Sequence, residues 1–105
     1  MVKSNSKQKK GKTYLVRNPS FSKLYATNVK AYFTSYDFRI ETMNERMKFE
    51  EHAHVVVDSV IILTPQCAKK LHSTLGKLIA GYEKKNKTIE DTELDAIEDA
   101  ISYEN

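Results

Sequence analysis

The sequence predicts an α+β domain: an antiparallel three-stranded meander with one long helix packed on it and a short acidic C-terminal helix. Three observations carry this. Over residues 24–43 apolar and polar side chains alternate with a period of two, as half-buried strands require, and residues 53–63 form a β-branched apolar run. From residue 65 the apolar positions fall three and four apart, as on one face of a helix. Between the two regimes stands Thr64-Pro65, an N-cap hydroxyl followed by a proline suited to the first helical position.

Residues 1–17 precede the fold. They carry six positive charges (Lys3, Lys7, Lys9, Lys10, Lys12 and Arg17) and no acid, and read as a basic arm without apolar periodicity. Asn18-Pro19-Ser20 then marks a turn. The first strand runs over residues 24–33, with Tyr25, Val29, Ala31 and Phe33 on one face. The second covers residues 36–43, where Phe38 and Ile40 alternate with Asp37, Arg39 and Glu41. A short connection makes the two a hairpin. Residues 44–52 are polar and charged, and are expected to form an exposed loop.

The third strand, residues 53–63, is apolar on both sides: Val56, Val60 and Ile62 on one, Val55, Val57 and Ile61 on the other. Asp58 within it needs water or a hydrogen-bond partner. In the helix, Ala68, Leu71, Leu75, Leu78, Ile79 and Tyr82 form one stripe, expected to pack on the sheet, with Lys69, Lys70, Lys77 and Lys84 to its sides and back. Since one helix covers only one sheet face, Val56, Val60 and Ile62 are expected to form a homo-oligomer interface, most simply a twofold dimer. Residues 18–87 are thus the core domain. Residues 88–105, with seven acids and no base, are read as a short acidic helix carrying Leu94, Ile97 and Ile101.

At 105 residues the chain is one domain with a thin core. The single cysteine, Cys67, excludes an internal disulfide, and no run approaches the roughly 20 apolar residues that cross a bilayer. Together with a polar N-terminus that lacks an apolar signal core, this points to a cytoplasmic protein without a membrane partner.

Tyr25-x-x-Asn28, Tyr36-Asp37-Phe38, Leu63-Thr64-Pro65-Gln66-x-Ala68-Lys69-x-Leu71, Leu75 and Tyr82-Glu83 together resemble a small prokaryotic family known only as a domain of unknown function. The resemblance spans about residues 24–89. Its most specific part is the Thr-Pro-Gln-x-Ala-Lys junction. Cys67 stands where that family usually has histidine, Thr27 looks inserted beside Asn28, and Thr42-Met43 replaces a Phe-Gly-like strand end. The resemblance implies an architecture and no activity.

The residues argue against catalysis. No glycine-rich phosphate loop or zinc-protease motif is present. His52 and His54 alternate on one strand but lack a defined third ligand, and Cys67 and His72 diverge around the helix axis, so no metal, cofactor or catalytic residue is assigned. The chain reads as a non-enzymatic, oligomeric interaction module for an unidentified protein partner. The alternative is an accessory nucleic-acid-binding protein using Lys7, Lys9, Lys10, Lys12 and Arg17 with Tyr25, Tyr32 and Tyr36 as stacking surfaces.

Overall fold

The computed structural model describes residues 11–90 and Ile97. Three strands, β1 (Asn28–Phe33), β2 (Phe38–Phe49) and β3 (His52–Leu63), precede one helix, α1 (Pro65–Lys85). Among the described residues the strands form one antiparallel sheet in the order β1-β2-β3. The class is α+β. The basic residues Lys3, Lys7, Lys9 and Lys10, and the acidic segment beyond Glu90 apart from Ile97, lie outside the described residues.

The β1–β2 connection is a side-chain-locked turn. The Thr34 hydroxyl oxygen accepts from the Tyr36 and Asp37 amides (3.0 and 3.1 Å), and the Thr34 hydroxyl donates to Asp37 Oδ1 at 2.8 Å. Short polar side chains that bond their own backbone make such turns without glycine. Residues 24–27 stay outside β1, although the Thr27 amide still reaches the Met43 carbonyl at 2.8 Å.

The expected loop over residues 44–52 is instead more strand. β2 runs on to Phe49 and β3 starts at His52, joined through Glu50, whose φ of 60° is left-handed. Tight hairpin turns demand that conformation, and glycine or asparagine usually supplies it. Here a glutamate does.

Two irregularities interrupt this long hairpin. Thr42 pairs with Ser59 but Met43 with Val57, so Asp58 is an extra residue in β3; on β2 a compensating extra residue falls between Met43 and Arg46. Bulges of this kind kink the ladder and re-aim side chains. Asp58 is exposed, which meets its carboxylate's need for water. Met43 (3% exposed) and Thr42 (7%) are buried at this kink, where an unbranched thioether suits an irregular gap. The Thr42 and Ser59 hydroxyls share a hydrogen bond of 2.7 Å.

The bulge corrects the face assignment. Directly paired residues share a face, and Thr42 and Met43, being adjacent, point opposite ways. Ser59 and Val57 therefore lie on opposite faces, and Val56 joins Ser59 and Ile61 rather than Val60 and Ile62. A one-residue insertion is sufficient to do this.

α1 does not lie on the sheet. Its contacts with the sheet are sparse and fall mainly on β3, and apart from half-buried Ala68 and Glu83 every residue along it is exposed. The cause is local. Thr64 alone separates β3 from α1, whereas turning a helix back onto its sheet usually takes a connection of two to six residues. The helix start is otherwise as expected: Thr64 is extended (ψ 158°) and its Oγ1 accepts from the Cys67 amide at 3.1 Å. Thr64→Ala should lower helix stability by about 1 kcal/mol while Thr64→Ser leaves it nearly unchanged. Thermal melts followed by circular dichroism at 222 nm check this.

Asn86 closes the other end, its backbone and side-chain N–H groups both donating to the Tyr82 carbonyl (2.8 and 3.0 Å). Lys84 and Lys85 meet the negative end of the helix dipole. Among the described residues no helix is long and apolar enough to cross a membrane.

Candidate interaction surface

The register sorts the sheet into two unlike faces. On the first, three rungs line up: Phe33, Phe38 and Leu63; Ala31, Ile40 and Ile61; Val29, Thr42 and Ser59. No charged residue falls on these rungs. The Phe33 and Phe38 rings lie 5.9 Å apart at 46°, a tilted contact of the kind aromatic pairs favour. Phe33 is nonetheless 73% exposed, and Val29, Ala31 and Ile61 are exposed with it. A surface that would be a core in a closed domain stands open.

The second face carries charge. Its rungs are Tyr32, Arg39 and Ile62, then Lys30, Glu41 and Val60, then Asn28, Met43 and Val57. The Tyr32 hydroxyl donates to Glu41 Oε2 at 3.2 Å. Partial burial, then the neighbouring Glu41 carboxylate, hold the Tyr32 phenol above its usual pKa. Arg39 grips Asp37 with two bonds, Nε to Oδ1 at 3.0 Å and Nη2 to Oδ2 at 3.2 Å. That fork, and then the Thr34 hydroxyl, pull the Asp37 carboxyl below the ordinary aspartate range, and Asp37 in turn raises Arg39. Val60 and Ile62 are exposed at the β3 end of this face.

A depressed carboxylate pKa has a definite sign in linkage. The folded state binds its proton less readily than the unfolded chain, so the stabilisation is present above the unfolded pKa and lost as pH falls through the folded one. Asp37→Asn should therefore lower the melting temperature at neutral pH and make little difference near pH 2. Equal losses at both pH values would contradict this role.

α1 adds a third surface. Leu71, Leu75, Leu78, Ile79 and Tyr82 are all exposed, Leu78 and Tyr82 at 63% and 56%. Past the helix end, Glu83 Oε2 accepts the Ile89 amide at 2.9 Å and sets Ile89 beside Leu78, Ile79 and Tyr82, widening the stripe into an open apolar notch. Opposite the stripe, Lys70, Lys77 and Lys84 recur every seven residues, about 10.5 Å apart along the axis. Glu83 is the only acid in the helix, and the ion pair between Arg39 and Asp37 involves none of these lysines.

The residues expected to contact nucleic acid are scattered. Lys12 and Arg17 are exposed before the sheet, the Arg17 guanidinium lying 4.3 Å from the Phe21 ring centroid. Of the three tyrosines only Tyr32 is in a strand; Tyr25 precedes β1 and Tyr36 follows it in the turn, both exposed. They form no shared stacking row on the sheet. The α1 lysines, visible in sequence only as the back of a stripe, are the more ordered basic feature.

His52 is exposed and His54 half-buried in β3, and the free Cys67 is exposed on the first turn of α1. Among the described residues no three of His, Cys, Asp or Glu come close enough together to hold a metal ion.

Comparison with known proteins adds one finding. The model of a family described as a protein of unknown function (DUF3467) matches residues 1–91. Neither the curated proteins nor the solved structures contain a match.

Proposed function

The chain belongs to this family of proteins of unknown function (DUF3467), and from its own surfaces we propose that it is a non-enzymatic interaction module that works as a homodimer. The observation that carries the reading is α1, a 21-residue helix whose apolar stripe is exposed along its length. Monomeric soluble proteins rarely leave contiguous apolar patches larger than about 300–600 Å². Here a helix stripe and a sheet face are both open, so the folded chain is half of a core. In this reading the dimer is a cytoplasmic, prokaryotic scaffold that presents its basic arm (1–17) and its acidic terminal segment (88–105) to a further protein partner. Val60 and Ile62 remain available for that partner, while Val56 faces the other way.

Light scattering on the full chain at tens of micromolar tests the dimer. The expected mass is that of two 12.1 kDa chains, and a single-chain mass overturns the proposal.

A second reading, an accessory nucleic-acid-binding protein, is favoured by one observation, the Lys70, Lys77 and Lys84 row, which has no ion pair among the described residues. Phosphate contacts of this kind release counterions, so affinity for labelled DNA or RNA should fall steeply between low and high salt. Changing the three lysines to glutamine should weaken binding further, as should removing residues 1–12. Absence of binding at low salt eliminates this reading and leaves the first untouched.

A further inference from the structure

We infer that α1 of one copy lies across the apolar sheet face of a second copy, and the second copy's α1 across the first, so that the dimer exchanges helices about a twofold axis. This rests on the dimeric reading above and goes beyond it by naming the two surfaces that meet.

The chain carries two apolar surfaces of complementary shape. One is the convex stripe from Ala68 to Tyr82, about 21 Å long at 1.5 Å per residue. The other is the sheet face bearing Val29, Ala31, Phe33, Phe38, Ile40 and Ile61, three strands wide, or roughly 10 Å between its outer strands. Helix on sheet is a standard two-layer arrangement, and each surface supplies the layer the other lacks. Within one chain they do not meet, because the single residue Thr64 between β3 and α1 carries the helix away from the sheet.

Symmetry narrows the remaining arrangements. Pairing stripe with stripe leaves the sheet face in water, and pairing sheet with sheet leaves both helices bare. Reciprocal exchange covers both surfaces with one self-complementary contact, as a twofold dimer requires. It also resembles a domain core divided between two chains, which is the character of obligate dimer interfaces.

Charge selects the face. The rungs bearing Phe33, Ile40 and Ile61 hold no charged residue, whereas the opposite face carries Lys30, Arg39 and Glu41. A helix laid on the first face desolvates no charge, while Lys70, Lys77 and Lys84 on its far side stay in solvent.

Disulfide trapping between single-cysteine chains tests the inference. In a Cys67→Ser background, one full-length chain carries Leu75→Cys and a size-tagged second chain carries Ile40→Cys, or Ala31→Cys as the variant gentler on the sheet. The two chains are co-expressed and purified as the mixed dimer, the Leu75→Cys chain is also purified alone as the source of the Leu75–Leu75 comparison, and both samples are oxidised and run on non-reducing gels. A mixed disulfide from Leu75 to either sheet position, forming at least several-fold faster than the Leu75–Leu75 bond, is the expected result. A dominant Leu75–Leu75 bond in a protein of dimer mass overturns the exchange and keeps the dimer. So does a folded dimer that forms no mixed disulfide at either position. A monomeric mass before oxidation removes the dimeric reading itself, and the exchange with it.

Discussion

Replacing Leu75 and Ile79 together with glutamate should convert the chain to a monomer while leaving β1–β3 folded. Both residues lie in the middle of the α1 stripe and are exposed in the single chain, so the substitution removes nothing from its interior. In the dimer each buries an aliphatic side chain worth about 1.5–3 kcal/mol. Each helix therefore loses roughly 3–6 kcal/mol and the twofold dimer, with two such helices, about 6–12 kcal/mol before any cost of burying carboxylates, weakening association on the order of ten-thousandfold or more. Lys70→Glu with Lys77→Glu is the control, placing two carboxylates on the opposite side of the same helix with a larger change in net charge. It should leave the mass unchanged. Light scattering over a concentration series compares the three proteins. Equal masses for the stripe variant and the native chain would remove α1 from the interface.

The second large effect concerns Met43. It sits between the two register irregularities, paired with Val57, and is almost fully enclosed. Truncating a buried methionine to alanine costs about 2–5 kcal/mol, because lost burial and the remaining cavity add together. Small domains are stable by only about 5–15 kcal/mol in all. Met43→Ala should accordingly lower the melting temperature by roughly 10 °C or more, at 4–8 °C per kcal/mol for a chain of this size. Met43→Leu, similar in volume, should cost less than about 1.5 kcal/mol. Differential scanning calorimetry separates the two. A small shift for alanine would mean that the bulge closes over the gap.

These effects show which parts of the molecule are written locally. The Thr64-Pro65 start, the 3.6-residue stripe and the Phe38/Ile40 alternation are near-neighbour patterns, and each fixed its element in advance. The β2–β3 hairpin was hidden for two reasons. Residues 44–52 are mostly polar and charged, so burial left no alternation to read there. The turn takes its left-handed residue from Glu50, with no glycine or asparagine to mark it. The Asp58 bulge was hidden as well, because an extra residue appears only when two strands are set in register, and it moved Val56 off the expected interface. The docking of α1 was misjudged for a different reason. A stripe shows that a helix needs an apolar partner, but does not say which chain supplies it. With Thr64 alone between β3 and α1, the helix does not settle on its own sheet.

Of the candidate surface, the exposed apolar character of β3 was legible. The uncharged face around Phe33, Ile40 and Ile61 was not, because it joins residues from three strands through pairing alone. The lysine row was present as a heptad spacing that had read as the mere back of a stripe. The expected tyrosine platform dissolved once β1 was seen to begin at Asn28 and end at Phe33.

The claim at the centre of this account is that α1 is covered in solution, and amide hydrogen exchange along Pro65–Lys85 tests it most directly. A helix with no partner is marginal in water and opens readily, so its amides exchange quickly. Covered by a second copy, the amides along Leu71, Leu75, Leu78 and Ile79 should be strongly protected at tens of micromolar. That protection should fall as dilution drives the mass toward one chain. Fast exchange along the whole helix at every concentration would contradict the account.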